Sequence, residues 1–499
     1  MPNIDVTATV APRPVTDREL PDDISTDAPA RPTGLGVLHR GIAVASLCLV
    51  AYASSYAHNF ADAVAGSRAA YLIVLPVLAL LIAAGYRTTS HGVGDGESDW
   101  IVATLIAVLG LAAIYLLIGR MPTLSAWWRL ESLAVLVWAV CCVVVLFGMR
   151  HALTMWALWL FLAFFATPVP YLAATAALGG TPTAGAVVAA AIGAVAVYLA
   201  TRPLPTQRRL AATAISLVAS APLVFGCASW FLPTIIVTGG VIPVLSVLGA
   251  RLAPDRRSAD STERSISAAM PHRSSRTVGF LAVGTAILAA AGLHQHEAPT
   301  LRTVPTDWTA RSGLSRGASY DFVTNVAGPG STLVRYAVPA EKDMPTAAVD
   351  VLSTPSEAVL DDLADVVWYP TARPVSYRAV TASTAIPAGT RAIHSDADAA
   401  ADARGVDWYA LTWTQRAGSL FQRVTVIVSQ SLTGDQAPPA PQPPDVLDAS
   451  VGSWLWLSRQ RPQGLDHVDP LVSQRADKLV AAISGRSGTA YPGGSHRRD

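Results

Sequence analysis

Apolar residues come in long unbroken runs through the first half of this chain and in short alternating ones through the second. Runs of seventeen to twenty residues occupy positions 41–57, 70–86, 101–119, 132–149, 152–170, 184–201, 211–227 and 231–250, and a ninth covers 277–293. At about 1.5 Å per residue each can cross roughly 30 Å of hydrocarbon, the shortest with some thinning of the bilayer. Beyond residue 293 the period shortens. Thr332–Val338, Ala347–Ser353, Val375–Thr381, Trp408–Gln415 and Leu420–Ser429 read as strands, with Val424, Val426 and Val428 on one face of the last. Glu357–Val367 reads as a helix, and a second starts at a capping Asp469 with Pro470 in the first helical position.

This pattern predicts a multi-span α-helical membrane bundle, eight spans plus a ninth, followed by an extracytoplasmic α+β domain. The expected units are a disordered tail at 1–40, the eight-span domain at 41–250, a basic loop at 251–276, the ninth helix at 277–293, the α+β domain at 294–486 and a disordered tail at 487–499. The tail at 1–40 carries no early apolar core, so it is expected to be retained rather than cleaved as a secretory signal. The proline-dense stretch Ala437–Asp445 reads as an extended linker or long loop.

Composition agrees with a membrane protein. The 499 residues are 52% apolar and 14% charged, and a net charge of +1 points to no nucleic-acid partner. All four cysteines, Cys48, Cys141, Cys142 and Cys227, lie in the apolar half, so the second half must be held by its own core.

The distribution of arginine sets the direction. The loop 251–276 holds six, and with an inward amino terminus the inner segments hold fifteen against three outside, Arg68, Arg120 and Arg129. Basic residues are retained on the cytoplasmic side, which predicts a bacterial inner-membrane protein with its amino terminus cytoplasmic and its last domain outside. Trp127, Trp128 and Trp230 are then expected at the outer interface and Trp100 at the inner one. None of the eight spans contains an ionisable residue other than cysteine or tyrosine, which argues against ion- or proton-coupled transport. Ala189 and Gly193, four apart, form a small-residue packing face.

Candidate chemistry is sparse. No phosphate loop, nucleophile elbow or zinc-protease helix occurs, and no cofactor or metal is implied. Gly328-Pro329-Gly330-Ser331 reads as a turn; His294, His296 and Glu297 read as a polar juxtamembrane stretch, and Asp396, Asp398 and Asp402 as a solvated loop. The outer face gathers His58, Asn59, Asp62, Arg68, Arg120, Arg129 and Glu131 near Cys227. A thiol beside arginines can ionise and attack a carbonyl, with Arg120 or Arg129 steadying the oxyanion. The plainer reading of Cys227 is a small hydrophobe, and Cys141 and Cys142 read as packing residues.

Phe147-Gly148-Met149-Arg150, followed by an apolar run ending Pro168-Val169-Pro170, resembles the exosortase/archaeosortase family over about residues 41–250. Val366-Val367-Trp368-Tyr369-Pro370 and Trp408–Trp413 are similar to elements of the exosortase-associated carboxy-terminal domain. The resemblance implies an eight-span cysteine transpeptidase that sorts exported proteins. The family's Cys-Ser-Gly motif is absent, and Gly226-Cys227-Ala228-Ser229 is its nearest analogue. Expected partners are the lipid bilayer together with exported proteins or the envelope polysaccharide machinery. The expected function is envelope biogenesis, as a divergent or inactive sorting transpeptidase; the alternatives are a non-enzymatic scaffold or accessory factor for polysaccharide or protein export, and, third, a small-solute transporter.

Overall fold

The computed structural model describes residues 34–86, 96–227, 230–252, 275–292, 301–339, 341–371, 375–383, 386–395, 407–432, 436–444 and 468–487. Most of the basic loop, His294, His296, Glu297, Asp396, Asp398, Asp402 and the tail from 488 lie outside these residues.

The long apolar runs are largely helical, but in more and shorter pieces than the one span each that was expected. The helices are α1 (Gly34–Ala51), α2 (Ala53–Val64), α3 (Leu75–Ala83), α4 (Gly96–Arg120), α5 (Pro122–Trp128), α6 (Glu131–Phe147), α7 (Met149–Thr154), α8 (Trp156–Phe165), α9 (Pro168–Ala177), α10 (Pro182–Ala200), α11 (Thr206–Gly226), α12 (Phe231–Ile236), α13 (Ile242–Leu252) and α14 (Ser275–Gly292). Four of these stretches are long and apolar enough to cross a membrane: Ser98–Arg120, Pro182–Ala200, Thr206–Gly226 and Phe231–Leu252. There are six if two bent pairs are each one span. The run 41–57 bends by 73° between α1 and α2, and 152–170 bends by 63° between α8 and α9. Pro168 and Pro170 cause the second bend, since neither can donate to the preceding turn. The run 70–86 is a single turn, Ala70–Ile73, followed by the nine-residue α3. The most apolar of the four, Ser98–Arg120, is hardly covered by the rest of the protein. An apolar helix left bare by its own fold is what a lipid-facing surface requires.

Packing inside the bundle relies on small residues. A Cβ on Gly193 would stand 2.6 Å from Cγ of Pro243, and Ala189 beside it is buried against Gly239. Those contacts meet a π-helical stretch, Val237–Val241, that joins α12 to α13.

Polar contacts separate the two ends of the bundle. At one end Arg251 donates to the carbonyls of Ala84 and Ala200, Arg40 to that of Leu146, and Asp99 accepts the amide of Met149. Gly148 ends α6 with φ of 97°, and a Cβ there would lie 3.3 Å from the Asp99 carboxylate. The sheet domain sits against the other end.

That domain is built on one sheet with strands β1 (Arg302–Val304), β2 (Ser315–Ser319), β3 (Thr332–Ala337), β4 (Ala347–Thr354), β5 (Arg378–Ala379), β6 (Arg391–Ser395), β7 (Trp408–Ala417) and β8 (Leu420–Ser429). The order is β2-β3-β4-β8-β7-β6-β5 with antiparallel neighbours, and β1 runs parallel to the end of β7. Val349 and Val351 of β4 and Val424, Val426 and Val428 of β8 face α15 (Trp308–Arg311) and the final helix α18 (Pro470–Ser487). The opposite face meets α16 (Phe322–Ala327) and α17 (Glu357–Asp362) through Leu333, Leu352, Val359 and Leu363. Central strands covered on both faces are buried almost throughout, as β4 and β8 are. The predicted cap of α18 is present, with Asp469 Oδ1 accepting the Leu471 amide at 2.8 Å. Gly328 and Gly330, at φ of 95° and 82°, make the predicted turn after α16. The helix predicted over Glu357–Val367 stops at Asp362, and Val375–Thr381 shortens to two paired residues.

Candidate functional site

Polar residues from the loops expected outside converge on one carboxylate of the sheet domain. In α2, His58 and Asp62 are one turn apart, with Nε2 and Oδ2 separated by 3.4 Å, and Asn59 lies beside them. Ala65–Ala69 then turns, helped by Gly66 at φ of 93°. Arg129 closes α5 in the left-handed region, φ 46° and ψ 52°, a conformation that a non-glycine residue holds only when its surroundings dictate it. Its side chain shows what dictates it. Nη2 lies 2.7 Å from Oδ1 of Asp362, at the end of α17, while Nη1 donates to Asn59 at 3.0 Å. Asp362 also accepts from Ser67 Oγ at 2.8 Å and from the Arg68 amide at 2.7 Å, and its side chain is only 3% exposed.

The surrounding seam is close-fitting. Arg68 Nη2 donates to the Gly180 carbonyl at 2.5 Å, Ser356 Oγ to the Ala65 carbonyl at 2.8 Å, and Thr123 Oγ1 to the Val375 carbonyl at 2.8 Å. A Cβ on Gly180 would fall 2.2 Å from the Asn325 carbonyl oxygen, and one on Gly328 would fall 2.9 Å from the Arg68 guanidinium. Both positions need bare backbone. Trp127 packs beside the Val323–Leu360 cluster of the sheet domain. Expected at the outer interface, it takes part in the seam.

Beneath the seam the bend between α8 and α9 frees backbone carbonyls. Tyr71 Oη lies 2.7 Å from the Phe165 carbonyl and 2.9 Å from that of Thr167. Its ring stacks on Tyr171 at 4.2 Å, and Tyr171 donates to the Gly185 carbonyl at 3.1 Å. Tyr71 thus serves the break that Pro168 creates.

Charge at the seam is predominantly negative. Burial raises Asp361 to about 6, helped by Glu357, Asp62 and Asp362 and opposed by His58. Burial raises Asp362 as well, against the opposing pull of Arg129, Ser67 and the Arg68 amide. Arg129 is therefore already committed to a carboxylate.

Cys227 has different neighbours. It caps α11 and is exposed; its carbonyl accepts from the Trp230 amide at 2.9 Å and from Thr234 Oγ1 at 3.0 Å. Among the described residues no hydrogen bond or ion pair joins it to Arg120 or Arg129. Arg120, exposed at the end of α4, and Glu131, exposed at the start of α6, stand outside the Asp362 cluster. Cys48, Cys141 and Cys142 are buried. Of the outer-face constellation expected from the sequence, the structure gathers His58, Asn59, Asp62, Arg68 and Arg129. The residue that organises them, Asp362, was not singled out. Its signal was an acid three residues after Val359 and next to Leu363, both buried apolar positions of the same short segment.

Neither a protein-family model, nor a curated protein, nor a solved structure matches this chain.

Proposed function

We propose that the protein is a non-enzymatic scaffold or accessory factor of bacterial envelope biogenesis, in which a nine-span bundle carries an extracytoplasmic α+β domain fixed to its outer loops. The observation that carries this reading is the Asp362 latch: the sheet domain is joined to the bundle through buried, directed contacts rather than by its tether alone. A domain held this way presents a constant surface to partners in the envelope. Among the described residues, the close polar contacts between the sheet domain and the bundle fall on stretches expected outside, at Ala65–Arg68, Thr123 and Arg129, and Gly180 meets Asn325 beside them. The residues meeting at the far end, Arg40, Asp99 and Arg251, are ones expected inside, and this supports the alternating topology.

A second reading, the divergent exosortase-like transpeptidase, is favoured by one observation: Cys227 alone among the four cysteines is exposed. Two replacements in the native host separate the readings. For a scaffold, Cys227→Ala leaves surface-protein maturation and the envelope unchanged, while Asp362→Ala weakens envelope integrity with protein levels maintained. Arrested maturation in the Cys227→Ala strain would establish the thiol chemistry and remove the scaffold reading.

A further inference from the structure

The stretch Ala437–Asp445, expected as an extended linker or long loop, is bound along its described part to the sheet domain. Pro438 and Pro441 are buried, whereas Ala437, Ala440, Gln442 and Pro443 are exposed. Burial three residues apart is the period of a polyproline helix, which has three residues per turn and carbonyls that point outward, unpaired within the helix. Those carbonyls are collected by the domain. Arg335 Nη1 donates to the Pro438 carbonyl at 3.1 Å and Nη2 to that of Pro439 at 2.7 Å, and the Gln442 amide donates to the Trp368 carbonyl at 2.7 Å.

The groove is hydrogen-bonded beneath the strap. Arg335 and Asp350 are directly opposed on β3 and β4 and share two hydrogen bonds of 2.8 and 2.7 Å, and Tyr369 Oη donates to the same carboxylate at 2.8 Å. Pro441 lines a small cavity with Trp368 and Tyr369. The Trp368 indole N–H is buried without a hydrogen-bond partner among the described residues. Aromatic walls, donors aimed at carbonyls and a spare indole N–H are the means by which proline-rich ligands are recognised.

We infer that the Arg335–Trp368–Tyr369 face is a recognition groove for proline-rich extended chains, and that Gln436–Pro444 is its resident ligand. The contacts are made to proline rings and backbone carbonyls, so a proline-rich segment of another polypeptide in the envelope can make the same ones once the strap lifts. The groove belongs to the sheet domain alone, and the inference stands whether or not the scaffold reading holds.

The test uses the full chain in detergent micelles and a fluorescent peptide with the sequence of residues 436–444. In the wild type the tethered strap competes at high effective concentration, so the peptide binds weakly. The variant Pro438→Gly/Pro441→Gly weakens the strap and is expected to bind the peptide about tenfold more tightly than the wild type. The variant Gln442→Pro removes one backbone donor at an exposed position without touching the core, and its affinity should be intermediate. A control peptide with glycine at the two buried proline positions should bind neither. Retained exchange protection of the β3 and β4 amides verifies the fold of both variants. The inference is overturned if folded Gln442→Pro and Pro438→Gly/Pro441→Gly proteins bind the peptide no better than the wild type, or bind the glycine control equally well. A wild-type dimer that the peptide dissolves would make a second copy the occupant and overturn the assignment to a different protein.

Discussion

Single residues at the seam decide how the two halves hold together. Removing one member of a buried ion pair strands the other, at a cost of about 3–5 kcal/mol, far more than an exposed pair contributes. Asp362→Ala leaves Arg129 facing Asp62 at 3.8 Å and Asn59 only. Arg129→Ala leaves Asp362 with Ser67 and the Arg68 amide. Each replacement alone should sharply raise amide exchange at Ala65–Arg68 and in α17, and the double replacement should cost less than the sum, with a coupling of about 1–3 kcal/mol. Additive effects would show that the pair does not hold the seam. The pH dependence follows from burial. Burial raises Asp361 to about 6, and Asp62 of the bundle adds to the rise, so the docked form binds the proton more tightly than the undocked one. The favourable contribution is complete below about 4 and is lost as pH climbs through 6. Asp362 shifts in the same direction, and Glu357, Asp62, His58 and Arg129 face the pair. Seam protection should therefore fall between about pH 4 and pH 6.5 and fall less in Asp361→Asn; protection that rises over that range would contradict this assignment. The sequence shows the basic and acidic partners in the loops between the apolar runs, because loop charge stands out against apolar sequence. Asp362 does not stand out, since nothing in a linear pattern says that this acid of a short helix faces another domain.

At the level of elements, the long runs were readable because lipid and core both select continuous apolar sequence. The breaks within them were less so. Pro168 marks one bend, but the break at Tyr52 has no proline or glycine to announce it, and the structure supplies no physical account of it. In the sheet domain, β4, β7 and β8 were readable from apolar runs and alternation, because they pair on both sides and bury at least one face. The strands β1, β2 and β6 were missed. Every residue of β2 is exposed, so it carries no burial period, and β1 is three residues long. The extended linker or long loop expected over Ala437–Asp445 is a loop along its described part, and its docking on the sheet domain was not legible for a related reason. Proline density specifies an extended conformation but not whether that chain is docked. One prediction belongs to this scale. Tyr71 is fully buried and supplies the hydroxyl at the break between α8 and α9. In Tyr71→Phe two carbonyls lose that donor, and the cost is about 1–3 kcal/mol. Thermal unfolding in detergent should move to lower temperature, whereas Tyr86→Phe, whose hydroxyl meets only the exposed Arg202 at 3.2 Å, should leave it unchanged.

For the whole molecule, the orientation rests on charge and the seam on geometry, and the two arguments meet at Cys227. α10 runs from the sheet-domain end at Gly180 to the Arg251 end at Ala200, and α11 packs against it and returns. Its 21 residues span about 31 Å, which brings Cys227 back to the end that bears the sheet domain. The exposed thiol then lies on the outer surface if the arginine count has the direction right. The other three cysteines are buried and serve as an internal control. A membrane-impermeant maleimide applied to intact spheroplasts should modify Cys227 at once. In a Cys227→Ala background, Arg202→Cys at the opposite end should react only after the membrane is opened. Exchange of these two outcomes would invert the topology and carry the sheet domain into the cytoplasm. Reaction of both sites in sealed cells would mean that α11 does not cross the bilayer. Because the sheet domain is latched to the loops at the Cys227 end of the bundle, its own accessibility must follow that of Cys227: protease added outside should reach exposed β2 whenever the maleimide reaches the thiol. If the two reagents ever report opposite sides for one preparation, the latch through Asp362 is not formed in the membrane.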